Sequence, residues 1–182
     1  ELAGVCDMDR AKADEKAAQF GVKAYYDLDD VLALADVPAV GLFTGPNGRA
    51  KLIHRIINAG RDVMTTKPFE TDADAAREVL LEARKLGRTV HLNSPAPVLP
   101  ADLRQIVDWQ QRFDLGRPIA CRADVWASYR EQPDGRWQDD PAQCPAAPVF
   151  RLGIYLINDL LRLFGKPLKA QVLSARILTG RP

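Results

Sequence analysis

The chain has 182 residues, 47% hydrophobic and 27% charged, which is the balance of a globular protein with a real core. Its 25 basic and 24 acidic residues leave a formal charge of +1, so composition gives no electrostatic case for nucleic acid or an anionic membrane surface. Cys6, Cys121 and Cys144 stand far apart with no C-x-x-C pair, against both a disulfide framework and a zinc site. No run approaches the ~18 apolar residues of a membrane span.

The first apolar run, LAGVC, reads as a short buried strand ending at Asp7. A helix is expected from about Arg10 to Phe20, with Ala13, Ala17 and Phe20 on one stripe and Gly21 stopping it. DLDDVLALAD gives a second short helix. AVGLFT, residues 39 to 44, is a continuous apolar strand ending in the turn GPNG. A helix over Arg49 to Ala59 follows, with Leu52, Ile53, Ile56 and Ile57 on one face and Gly60 after its end. DVMTT is the next strand and delivers Lys67, whose backbone freedom is restricted by Pro68. Thr71 is expected to cap a helix whose buried stripe is Val79, Leu80, Ala83 and Leu86, with Asp74 as a short-armed partner in the cap. RTVHL is another strand. This alternation of strand and helix at short intervals means an α/β fold with a parallel sheet covered on both faces.

After about Asn93 the pattern changes. SPAPVLP is a proline-rich hinge, and a helix is expected from about Ala101 to Phe113. PIACRADVWASY reads as a long strand with one exposed face. The proline-dense loop EQPDGRWQDDPAQCPAAP leads to a helix over Val149 to Phe164, and LKAQVLSARIL reads as a last strand. A boundary near residue 95 therefore divides an α/β part, 1–94, from an α+β part, 95–182.

GVCDMDRAKADEKAAQFG, FTGPNGRAKLIHRIINAGRDVMTTKP and RLGIYLINDLLRLFGKP together resemble the glucose-fructose oxidoreductase, inositol dehydrogenase and rhizopine-catabolism group, Gfo/Idh/MocA. The most specific piece is A-G-x-x-V-x-x-x-K-P at residues 59 to 68. The resemblance implies a Rossmann-type parallel sheet followed by an α+β domain with a large open sheet. It also implies an NAD(P)-dependent oxidoreductase acting on sugars, polyols or related compounds. By the same resemblance the chain begins after the family's first strand and glycine-rich phosphate turn. As given, it is expected to bind dinucleotide weakly or not at all. A homo-oligomer through the C-terminal sheet and a cytoplasmic location complete the expectation.

Several residues are candidates for the chemistry. Asp7, at a strand's carboxyl end, is either a helix cap or an acceptor for the adenosine ribose hydroxyls, a role that favours NAD over NADP; Arg10 nearby weakens the preference. The turn Thr44, Gly45, Pro46 and Asn47 resembles the family's T-P-x-x-x-H turn beside the cofactor, with Gly45 for the proline and Arg49 for the histidine. Asn47 serves equally well as a plain helix cap. Lys67 corresponds to the lysine of the family's E-K-P motif, which the resemblance places on both cofactor and substrate, while Thr66 replaces the glutamate. Asn93 falls where the family often carries a polar residue beneath the nicotinamide.

At 100° per residue, Arg151, Tyr155, Asn158, Asp159 and Arg162 share one helix face, and Leu156, Ile157, Leu160, Leu161 and Phe164 face the core. The resemblance puts Arg151 and Tyr155 where family members usually have aspartate and histidine. A tyrosine base needs positive charge nearby, and Arg151 and Lys67 are placed to supply it. Lys67, Tyr155 and Arg151 are thus the expected catalytic set, with no metal. Trp126, Tyr129, Arg130 and Trp137 suit either a sugar-like ligand or a subunit interface. Because Glu, Asp and His are all replaced at family positions, two other readings stay open. They are a catalytically silent dinucleotide-binding or sensor protein, and a truncated chain without activity of its own.

Overall fold

Short apolar runs separated by amphipathic helices can bury themselves only by pairing in parallel and taking helices onto their faces. The computed structural model describes residues 1–96, 98–126, 132–145, 149–167 and 169–171. Strands β1 (Gly4–Cys6) and β2 (Lys23–Tyr25) pair in parallel around helix α1 (Arg10–Phe20). The short helix α2 (Leu28–Leu32) leads to a second parallel sheet, β3 (Ala39–Leu42), β4 (Asp62–Thr65) and β5 (Val90–Leu92), in sequence order. Helices α3 (Arg49–Asn58) and α4 (Ala73–Lys85) are its crossovers. Helices α5 (Ala101–Arg112) and α6 (Ile154–Phe164) follow, the second preceded by a π-helical turn at Val149–Gly153.

The core lies between α3, α4 and the three-stranded sheet. Ile53, Ile56 and Ile57 of α3 meet Leu42, Val63, Val79 and Ala83. β2 is an addition to the sequence reading: KAY is too short and too polar at its first residue to stand out as a strand. Its pairing requires a close approach, because a Cβ on Gly4 would lie 2.5 Å from Tyr25 Cε2 and 2.9 Å from the Lys23 carbonyl oxygen.

Several expectations need correction. Phe20 is 57% exposed, so the buried stripe of α1 is only Ala13 and Ala17; Phe20 borders an open cleft beside Val5 and Cys6 of β1. On α4, Val79 and Ala83 are buried but Leu80 and Leu86 are exposed, since one helix packs on α4 from a single side. Asp72, not Thr71, caps α4, accepting from the backbone N–H groups of Asp74 and Ala75. The long strand expected over 118–129 is absent from its described residues, 118–126, which run exposed and irregular. The alternation there is loose, and no neighbouring strand pairs with it among the described residues. Most of LKAQVLSARIL lies outside the described residues. No buried residue occurs on α6, and Ile157, Leu161 and Phe164 are exposed. Periodicity identifies the apolar side of a helix but not what covers it.

Candidate active site

Parallel strands present all their carboxyl ends at one edge, so the residues that follow β3, β4 and β5 are brought together by the sheet itself. Thr65, the last residue of β4, is fully buried and its hydroxyl donates to the Leu42 carbonyl at 2.7 Å, fixing the β4 end against β3. The chain then turns through Thr66, Lys67 and Pro68.

The turn is held by Arg49, the first residue of α3. Its guanidinium donates to the carbonyls of Thr44, Thr66 and Pro68. Burial pushes this guanidinium below the usual arginine range, and the nearby Glu70 carboxylate opposes that shift. Glu70 in turn accepts from the N–H groups of Gly48 and Ala50, at 3.2 and 2.8 Å, and from those of Thr71 and Asp72. It supplies the α3 N-terminus with the anion that a helix dipole favours. Burial alone would raise the Glu70 carboxyl; the hydrogen bonds from Ala50, Thr71 and Asp72 outweigh it and hold the group below the usual carboxylate range.

Lys67 leaves this turn towards α6. Its Nζ donates to the Arg151 carbonyl at 2.5 Å and stands 5.0 Å from the centroid of the Tyr155 ring, within cation–π range. The Tyr155 hydroxyl and Ser94 Oγ share a hydrogen bond of 2.9 Å. Lys67, Tyr155 and Ser94 thus form one cluster drawn from the ends of β4, β5 and the start of α6. Tyr155 is 41% exposed, so a ligand can reach the phenol.

Arg151 meets Lys67 through its backbone carbonyl. Arg151 lies in the π turn ahead of α6, where the 100° spacing of an α-helix does not apply. Farther along the same face, the Asn158 amide donates to Asp159 and accepts from Arg162 Nε.

The remaining candidates lie along the strand ends. Thr44 is exposed and its hydroxyl donates to the Gly45 carbonyl. Gly45 faces Trp137: a Cβ there would lie 3.4 Å from the indole Cγ. Pro46 is buried beneath, and Asn47 is exposed without capping α3, because Gly48 occupies the cap position and Glu70 supplies the acceptor. Asn93 is exposed, with its N–H donating to the Thr65 carbonyl at 2.9 Å.

Asp7 stands on the other sheet, at the end of β1, and accepts from the Asp9 N–H at 2.9 Å. Asp9 is the actual cap of α1. Partial burial, followed by the carboxylates of Asp27, Asp7 and Asp30, raises the neighbouring Cys6 thiol. Arg10 stacks its guanidinium 4.2 Å from the Tyr26 ring centroid. Trp126 is almost fully exposed, and Tyr129 and Arg130 lie outside the described residues.

Sequence reasoning missed three participants. Ser94 is joined to Tyr155 only through the fold, and nothing local marks it. Glu70 carried a signal, an acid just ahead of a helix, but its partners include the start of a different helix. Arg49 was visible only as a departure from the family's turn.

Parallel strands with polar residues gathered at their carboxyl ends define a Rossmann-type nucleotide-binding fold. A sequence profile described as the oxidoreductase family with an NAD-binding Rossmann fold, Gfo/Idh/MocA, matches residues 1–94, just over half of the chain. The chain belongs to the Gfo/Idh/MocA oxidoreductase family. An uncharacterised oxidoreductase of Schizosaccharomyces pombe is 28% identical over 154 residues, covering 84% of this chain and 40% of the relative. The inositol 2-dehydrogenase of Rhodococcus erythropolis is 30% identical over 116 residues, covering 63% of this chain and 34% of the enzyme. Among solved structures, GenD2 from gentamicin A biosynthesis, in complex with NAD, superposes with a TM-score of 0.71 at 23% identity. That superposition covers 92% of this chain and 47% of GenD2. The chain spans about two fifths of the length of the curated relatives it matches. No helix among the described residues is long and apolar enough to cross a membrane.

Proposed function

We propose that this chain carries the alcohol-handling side of an NAD(P)-dependent oxidoreductase whose substrate is a sugar, a polyol or a related hydroxy compound. The observation that supports this most is the convergence of Lys67, Tyr155 and Ser94 on one accessible cluster at the carboxyl edge of a parallel sheet. The inositol dehydrogenase relationship supports the polyol class.

The residues present fit a dinucleotide at its ribose and nicotinamide ends. Asp7 keeps acceptor capacity for ribose hydroxyls, and Thr44, Asn47 and Asn93 offer exposed polar groups beside Lys67. Gly45 and Pro46 shape the turn between them. The carboxylates of Asp7, Asp27 and Asp30 disfavour a 2′-phosphate, and Arg10 is occupied on Tyr26, so NAD is the favoured cofactor. When bound, the nicotinamide supplies the hydride acceptor.

The protein's own part is to handle the hydroxyl. Lys67 orients the substrate oxygen and stabilises the negative charge that develops on it. Tyr155 receives the hydroxyl proton while giving its own to Ser94, to which it is hydrogen-bonded, and Ser94 passes a proton outward. Arg151 contributes a carbonyl that aims Lys67. With the family's glutamate replaced by Thr66, that carbonyl and the Tyr155 ring are what receive the ammonium charge. The division near residue 95, a homo-oligomer and a cytoplasmic location belong to this proposal.

The test is to incubate the full-length protein with NAD and a panel of polyols and sugars and to follow NADH absorbance. A substrate-dependent rise supports the reading; tight nucleotide binding without turnover of any member would favour a dinucleotide sensor.

A further inference from the structure

Arg49 is the one charged side chain buried in the core of the described residues, at 1% exposure. A core position filled by an apolar side chain of similar volume is commonly as stable as one holding a buried ion, so a buried guanidinium calls for a reason beyond packing. The geometry gives one. Two of its three acceptors are the carbonyls of Thr66 and Pro68, the residues on either side of Lys67. The third is the carbonyl of Thr44, at the end of the neighbouring strand. A planar guanidinium with fixed donor directions can hold three carbonyls in one arrangement, which an ammonium on a flexible stem cannot. Glu70, the nearby anion, already accepts from the start of α3 and the start of α4. The pair therefore ties two turns and two helix starts into one rigid unit beneath Lys67.

We infer that Arg49 is a positioning residue for Lys67, its guanidinium clamping the two flanking carbonyls to the turn after β3 and thereby fixing where the ammonium stands. This rests on the reading of Lys67 as the working cation of the site. It assigns a role to a buried residue whose three acceptors are all backbone carbonyls.

The test compares Arg49→Lys with the wild type in the full-length protein, using an amine-reactive reagent and mass spectrometry to read labelling at each lysine. Lys12 and Lys16, both exposed, serve as internal references. Loss of the clamp should raise the labelling rate at Lys67 by about fivefold, the factor expected when stabilising hydrogen bonds are lost, with the references within roughly twofold. Backbone hydrogen exchange over residues 66–70 should quicken with it. Unchanged labelling and exchange overturn the clamp.

Should Arg49→Lys fail to fold, nitrogen NMR of the wild type decides. Three fixed acceptors predict resolved, slowly rotating Arg49 Nη groups, and one averaged signal overturns the inference. Turnover of Lys67→Ala separates the two levels. Lost turnover together with unchanged labelling in Arg49→Lys removes the clamp alone. Intact turnover together with faster labelling removes the working cation and leaves Arg49 without a catalytic role.

Discussion

The Lys67 ammonium stands over the Tyr155 ring, 5.0 Å from its centroid, while the same phenol is hydrogen-bonded to Ser94 at 2.9 Å. A strand end and a helix distant in sequence thus meet at one accessible phenol. If that phenol is the group that moves the proton, Tyr155→Phe removes the proton acceptor and leaves the ring. Turnover should fall by ~10²–10⁴, the usual contribution of a positioned acid or base. Nucleotide affinity, measured by fluorescence titration, should barely change.

Ser94→Ala should be milder. It removes one hydroxyl partner and leaves the phenol in place, so a loss of about fivefold in kcat follows from a hydrogen bond worth roughly 1 kcal/mol. A kcat equal to that of the wild type, measured in the same polyol assay, would remove Ser94 from the proton path.

Gly4 tests the two-stranded sheet. A methyl there would meet both a tyrosine ring and a backbone carbonyl inside contact distance, and the carbonyl cannot swing aside. Gly4→Ala should destabilise by roughly 1–3 kcal/mol through overpacking, read by thermal or urea unfolding. A melting curve unchanged from the wild type would mean that β1 and β2 do not pair as described.

Glu70 gives a pH dependence with a definite sign. Its carboxyl is held below the usual range in the folded protein, so it binds a proton more readily when unfolded. Its stabilising contribution is present above the unfolded pKa, about 4.3, and is lost as pH falls through the lower folded value. Glu70→Gln should therefore be less stable near neutrality, by about 1–3 kcal/mol. The gap to the wild type should narrow in acid. Urea unfolding of both proteins from pH 7 to pH 3 checks this, and a gap that widens in acid contradicts it.

The alternation of strands and helices was legible because it is written locally. Ile53, Ile56 and Ile57 recur at helical spacing, and glycines mark where α1 and α4 give way to turns. The stretch ending in Lys67 and Pro68 was legible for the same reason, with the family resemblance assigning it a place. What escaped was whatever depends on a distant partner. Ser94 carries no local pattern, and its meaning comes from a phenol delivered by α6. Glu70 caps a helix that begins before it in the chain. The Arg151 carbonyl as a partner of Lys67 was not legible, since a π turn cannot be read from a 100° wheel. Leu80, Leu86 and the apolar side of α6 show the converse error, in which a correct stripe was assigned to a core that does not cover it.

The most direct measurement is turnover by Lys67→Ala in the full-length protein, set beside its nucleotide dissociation constant. If Lys67 stabilises the developing alkoxide, kcat should fall by roughly 10²–10³ while nucleotide affinity changes by less than about threefold. Turnover equal to the wild type would contradict the role given to this lysine and, with it, the site.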